Sequence, residues 1–226
     1  MKSVRKLLSL TGIVFLFLTL FCLNINAQGL KDINGKTYPV CNIGKQVWSG
    51  ENLNVDRFRN GDRIPQAKTN AEWETAGKTG KPAWCYYDND TAKGRVYGKL
   101  YNYYAIADPR GLTPAGWRVP NNADYSKLIT TLGGIDVAGL KLKSREIWKQ
   151  QFKGTNITRF TAVPAGARNP NGSFLNFNNT TQWWSTEVDV AGGPEIWSVG
   201  LNSFAVQVGY FKMDKGAGLS VRCIKN

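Results

Sequence analysis

Histidine is absent from the 226 residues, cysteine occurs four times and methionine twice. Without an imidazole there is no Ser/His/Asp or Cys/His nucleophile system, no HExxH metal helix, and little from which to build a zinc site. No Cys-x-x-Cys pair is present, which argues against redox catalysis. Acidic side chains are also sparse, 16 against 29 Lys plus Arg, for a formal charge of +13. What is present is apolar and aromatic: 42% hydrophobic and 12% aromatic residues describe a folded globular chain rather than a disordered one. The length fits one large or two small domains.

Residues 1–27 read as a secretory signal. Lys2, Arg5 and Lys6 form a basic start, Leu7 to Leu23 an apolar run, and Ile25-Asn26-Ala27 a small-residue cleavage site, so that the mature chain spans 28–226. The run is broken by Ser9, Thr11 and Thr19 and falls short of the roughly 18 to 20 apolar residues that span a bilayer. Membrane contact is therefore expected only through this segment, if it stays uncleaved. Phe21 is too bulky to precede a lipid-carrying Cys22. The expected location is the periplasm, the outer surface or the medium. Cleavage removes three cations and no anion, leaving +10. These charges are scattered (Lys78 and Lys81, Lys141 and Lys143, Lys212 and Lys215) rather than interleaved with aromatics on one element, so no nucleic-acid partner is expected. A basic surface of this kind attracts anionic glycans or lipid headgroups.

Cys41, Cys85 and Cys223 remain after cleavage. Outside the cytoplasm one disulfide is expected, with one thiol left over. Cys41 sits in the alternating segment Tyr38 to Ile43, where a thiol behaves as a small hydrophobe, which favours the pair Cys85 with Cys223.

No linker, repeat or low-complexity tract interrupts the mature chain, and one continuous domain is the simplest reading. Tyr125, Leu128, Ile129 and Leu132 fall at i, i+3, i+4 and i+7 behind an Asn cap and Asp124, and Gly133 ends the helix they predict. A shorter helix is predicted from a cap at Asn70 to Ala76, stopped by Gly77. Strand signals are short and aromatic: Gln46 to Trp48, Ala83 to Tyr87, Ile196 to Val199, Leu219 to Ile224. Turn chemistry separates them, as in Asp108-Pro109-Arg110-Gly111, Asn169-Pro170-Asn171-Gly172 and Gly192-Gly193-Pro194. The sum is an α+β chain with two helices, a small antiparallel sheet and long ordered loops, which are where function tends to reside.

The ordered motifs Gly44-Lys45-Gln46-Val47-Trp48, Glu51-Asn52-Leu53-Asn54, Trp84-Cys85-Tyr86-Tyr87, Tyr97-Gly98-Lys99-Leu100-Tyr101-Asn102, Gly116-Trp117-Arg118-Val119-Pro120, Phe160-Thr161-Ala162-Val163-Pro164-Ala165-Gly166, Trp184-Ser185-Thr186 and Ser220-Val221-Arg222-Cys223 resemble the Fibrobacter succinogenes major paralogous domain. The resemblance covers residues 31 to 226. It implies a secreted or surface protein of Bacteroidetes-like or Fibrobacter-like bacteria, similar in plan to the C-type lectins and to the formylglycine-generating enzyme. No enzymatic activity is established across that family. In such a plan Trp48, Trp84, Trp117 and Trp184 are core anchors, and Trp184-Ser185 and Val221-Arg222-Cys223 are central strands. The calcium-dependent triplets of C-type lectins and the paired cysteines of the formylglycine-generating enzyme have no match here, so neither activity is expected.

Among candidate sites, Asp88-Asn89-Asp90 offers oxygen ligands but lacks the Gly and Glu of a calcium loop, and reads as a solvated turn. Asp90-Thr91-Ala92 resembles the Asp-Thr-small tripeptide at which Bacteroidetes O-glycosylate exported proteins, marking Thr91. Glu51, Glu72, Glu74 and Glu187 are available for glycoside hydrolysis, yet nothing in the sequence pairs any two. The stretch 169–200 is richer. Asn171, Asn176, Phe177, Asn178, Asn179, Gln182, Trp183 and Trp197 combine amides that bond hydroxyls with rings that stack on sugars. The expectation is a secreted or surface-exposed, non-enzymatic binding module, without metal or cofactor, recognising a glycan or surface protein through residues 169–204. A structural or adhesive envelope component is the alternative, and a glycoside hydrolase the third.

Overall fold

The computed structural model describes residues 29–148, 152–189 and 193–226; the predicted signal, with Cys22, lies outside them. Strands β1 (Leu30–Lys31) and β2 (Thr37–Tyr38) form a small hairpin, and β3 (Val40–Ile43) and β4 (Gln46–Ser49) a second one. Helix α1 (Asn70–Lys78) precedes β5 (Trp84–Cys85), α2 (Thr91–Tyr97), β6 (Leu100–Tyr101), α3 (Tyr103–Ile106) and β7 (Trp117–Arg118). Helices α4 (Asn122–Thr131) and α5 (Ile135–Leu142) follow, then β8 (Ala167–Arg168), β9 (Phe174–Leu175), β10 (Thr180–Val188), β11 (Glu195–Asn202), β12 (Gly209–Asp214) and β13 (Ile224–Lys225).

The fold is α+β. Its two larger sheets are a four-stranded one ordered β3-β4-β13-β7 and a three-stranded antiparallel meander β10-β11-β12. Among the described residues five α-helices replace the two expected, because α2, α3 and α5 are short and leave little periodicity to read; Asp90 caps α2 and Asn102 caps α3, while α5 starts at Gly134 with no side-chain cap. The two expected helices are present. Asn121 and Asp124 form a capping box on α4, and on α1 the cap is Thr69 rather than Asn70, since Glu72 reaches back to it.

The segment Leu219 to Cys223, expected as a strand, is fully buried but follows no single sheet. It bonds in turn to Tyr101 O, Gln182 O and, through Val221 O, to the Leu53 amide, so one run of chain stitches separate sheets together. Seven of the eight tryptophans are buried, including all four expected anchors. Their N–H groups find carbonyls: Trp73 with Gly216, Trp84 with Ile64, Trp148 with Ala162, Trp184 with Tyr101. Each of these four indoles thus adds about 1.5–3 kcal/mol of apolar burial without stranding its donor.

Two fully buried arginines sit inside this core. Arg222 donates to Asn52 Oδ1 (2.8 Å), Ser49 O (2.8 Å), Phe160 O (2.6 Å) and Thr161 O (3.1 Å), between the rings of Phe160 and Trp183. No carboxylate is among its partners; burial pulls its pKa down to about 10, still charged at neutral pH. Lys99 and Lys143 are caged similarly, Lys99 by both carbonyl oxygens of Asn54 and Lys143 by the carbonyls of Phe152, Asn202 and Ala205.

Arg222→Ala is expected to strip the carbonyls of Ser49, Phe160 and Thr161 of this donor, Asn52 Oδ1 keeping Trp183, and to cost about 3 kcal/mol or more, read as a fall in urea midpoint. Arg222→Lys is expected to recover only part of it, because an ammonium does not reproduce the guanidinium fork. Burial lowers Lys99 and Lys143 to about 8 from 10.5. Between those values the unfolded chain holds more protons, so both lysines make stability rise with pH from about 8. Buried Cys41, Cys85 and Cys223 are pushed above their ordinary 9.0, to about 11, 12 and 12, and oppose this above pH 9. Denaturation against pH is expected to show a shallow rise between pH 7.5 and about 9 that flattens in Lys143→Met.

Candidate functional site

The sequence-predicted surface begins at a hairpin that the second buried arginine holds in place. Arg168, at the end of β8, donates through Nε to Gly172 O (2.8 Å) and through its terminal nitrogens to Ala67 O (2.9 Å), Thr69 O (3.0 Å) and Asn70 Oδ1 (3.3 Å). Its guanidinium lies over Trp73 and Phe174. The turn it closes, Asn169 to Gly172, requires glycine at its end. Gly172 has φ +90°, and a Cβ there would lie 2.5 Å from Asn70 Cα.

Asn171 is exposed at the turn tip, where its Oδ1 accepts from Ser173 N and Oγ. Asn176 is exposed and Asn178 half-buried, both with left-handed backbone, φ 59° and 61°, a conformation Asn tolerates well. Asn178 Oδ1 accepts from Tyr97 Oη, and Asn179 holds Ser203 through its carbonyl. Phe177 stacks on Tyr87 at 4.6 Å, meets Tyr97 edge-on at 4.8 Å and lies under Lys93 Nζ at 4.6 Å. Gln182 and Trp197 are half-buried on the meander, and Lys212, paired with Asp189 at 2.9 Å, lies 5.4 Å over the Trp197 ring.

The structure therefore places Asn171, Asn176, Phe177, Asn178 and Asn179 on the β8–β10 connection, whereas Trp197 lies toward the Glu195 end of β11, away from Asn202, which pairs with Thr180 beside Asn179. Trp183 does not join them. It is 1% exposed, donates to Asn52 Oδ1 (2.9 Å) and meets Phe160 edge-on. Alternation along β10 puts Trp183 opposite Trp184, and both faces of this strand are covered, one by each of the two large core clusters.

The expected Cys85–Cys223 disulfide is absent: Cys41, Cys85 and Cys223 are free buried thiols. Cys85 packs with Trp73, Tyr87 and Leu100, whereas Cys223 packs in another cluster with Tyr101, Trp184 and Val221. Each acts as a small hydrophobe in its own surroundings, and its raised pKa suppresses the thiolate that exchange chemistry needs.

Thr91 is exposed at the first position of α2, next to the capping Asp90. Asp88 is paired with Lys93 and Asp90 caps α2, while Asn89 donates through its Nδ2 to Lys68 O and its Oδ1 is buried without a hydrogen-bond partner. Among the described residues no group of three His, Cys, Asp or Glu is placed to hold a metal. Glu51 pairs with Lys36, Glu74 with Lys78, and Glu72 caps α1. Sequence reasoning missed Arg168 and Arg222. The available signal was an arginine set inside an otherwise small and apolar run, Ala165-Gly166-Ala167-Arg168 and Val221-Arg222-Cys223-Ile224.

The fold and surface define an α+β protein with an aromatic core and polar loops held by buried cations. The family model of the Fibrobacter succinogenes major domain matches residues 41–225, and the chain belongs to that family. No curated protein and no solved structure matches it.

Thiol titration of the chain lacking residues 1–27 is expected to count three thiols after denaturation and close to none before it, with the same electrophoretic mobility with and without reductant. Gly172→Ala is expected to destabilise by about 1–3 kcal/mol through positive-φ strain and overpacking on Asn70, seen as a lower thermal midpoint.

Proposed function

We propose that this protein is an exported, non-enzymatic binding module of C-type-lectin-like plan, recognising a glycan or a surface protein through residues 169–204. The supporting observation is the exposure of Asn171 and Asn176 on a connection held by Arg168 and by the Phe177–Tyr87 stack, with Trp197 half-buried on β11. Recognition by preformed loops costs less ordering entropy than recognition by flexible ones. The signal-like composition of residues 1–27 supports export, and outside the cytoplasm glycans and envelope proteins are the available partners. Among the described residues, no helix is long and apolar enough to cross a membrane.

The second reading is a structural or adhesive envelope component, favoured by Ile157 and Phe204, which are 73% and 65% exposed. Exposed large apolar groups mark contact surfaces when they cluster. A glycan array and a pull-down from envelope extract discriminate the two. Saturable binding that weakens about tenfold in Trp197→Ala and in Asn176→Ala is the expected result. Absence of any saturable ligand, with concentration-dependent self-association in light scattering that Phe204→Ser abolishes, selects the structural reading.

A further inference from the structure

A second surface, which meets the 169–204 stretch at Thr186 and leaves its exposed asparagines aside, is concave and basic. Four hollows of about 180, 510, 660 and 290 Å³ adjoin one another around the β7 and β13 end of the four-stranded sheet. They share walls: Lys31 and Ala115 line the first two, Arg59 the first and third, Arg118 the third and fourth, and Lys225 the second and fourth. Arg57, Lys45 and Lys127 complete the cationic lining.

The charge of this belt is not cancelled locally. Its acidic side chains are Asp32 and Asp124. Asp32 is occupied by the Tyr38 hydroxyl (2.6 Å) and the amides of Asn34 and Lys36. Asp124 is occupied by Arg118 and the Asn121 amide. Lys31, Lys45, Arg57, Arg59, Lys127 and Lys225 have no carboxylate partner among the described residues. Two of them are preset. Arg57 donates to Gly61 O (2.9 Å), and Arg59 donates to Thr113 O (3.0 Å), its guanidinium lying across Gly111. A guanidinium so held keeps its remaining donors for an incoming anion and loses little freedom in binding it.

We propose that this belt is a binding groove for an acidic polysaccharide, a chain whose carboxylate or sulfate groups repeat along its length and meet the cations of successive hollows. The hollows are recessed and continue into one another through shared walls, which suits a chain that crosses several of them. A lipid surface meets protruding cations beside apolar side chains, and single-stranded nucleic acid calls for open aromatic faces. The aromatic lining here, Trp117, is 6% exposed.

The test is calorimetric titration of the full chain with polygalacturonate and with dextran sulfate, with neutral dextran as control, at low and at physiological salt. Binding to one or both acidic chains, weaker with salt and absent for dextran, is expected. Arg57→Gln/Arg59→Gln and Lys127→Gln/Lys225→Gln are each expected to weaken it about tenfold or more and to flatten its salt dependence, as counterion release requires. Among the described residues the side chains of the second pair make no hydrogen bond or ion pair, which keeps the test independent of loop stability. Lys68→Gln/Lys81→Gln removes equal charge elsewhere and is expected to change affinity less than twofold. No binding to either acidic chain, or equal loss in the Lys68/Lys81 variant, overturns the proposal. So does a preference for anionic phospholipid vesicles or duplex DNA that the belt variants abolish. Because Trp197 and Asn176 lie off this belt, failure here is separable from failure of the loop surface.

Discussion

Arg168 and Arg222 are cations buried in an aromatic core, and carbonyl oxygens rather than carboxylates hold them. Burying a charge costs several kcal/mol even after relaxation, and that cost is recovered only when nearly every donor is bonded in good geometry. The guanidinium meets this demand because its donors form a rigid fan, so each arginine converges carbonyls from segments far apart in sequence. Arg222 joins residues 49, 52, 160 and 161; Arg168 joins 67, 69, 70 and 172. In a chain with much irregular backbone, these two side chains supply the bonding that sheet ladders supply elsewhere.

Lys99 and Lys143 extend the same principle with a weaker device. An ammonium is a compact point charge with three donors, and its pKa yields when buried, whereas a guanidinium stays charged. Long loops normally carry few fixed contacts. Here they are ordered because their carbonyls have somewhere to point, and the polar side chains they present outward are consequently held in defined places.

How much of this was legible follows from what each feature writes into the sequence. Helix α4 announced itself through apolar spacing and its Asn121–Asp124 box, and the anchor tryptophans through aromatic runs between turn residues. Helices of four to eight residues leave too little periodicity to be seen. Trp183 was misread because a strand residue opposite a buried neighbour ordinarily faces water, and only tertiary packing reveals that β10 is covered on both sides. The thiols were misread because export suggests oxidation, while each cysteine is walled into its own apolar surroundings. The basic belt left no local signature at all: its members come from residues 31 to 225 and become neighbours only when the chain closes.

The buried run from Leu219 to Cys223 bonds to partners near residues 49, 53, 101 and 182. Synthesis and translocation deliver a polypeptide in order from its amino end, so every one of those partners emerges before the piece that ties them together. Until that last piece arrives, the indoles and the caged cations have no shared interior to occupy. Such late closure, dominated by distant pairings, makes for slow folding and a long-lived open form. Closure that waits for its carboxyl-side run is thus a consequence built into the order of this chain's contacts.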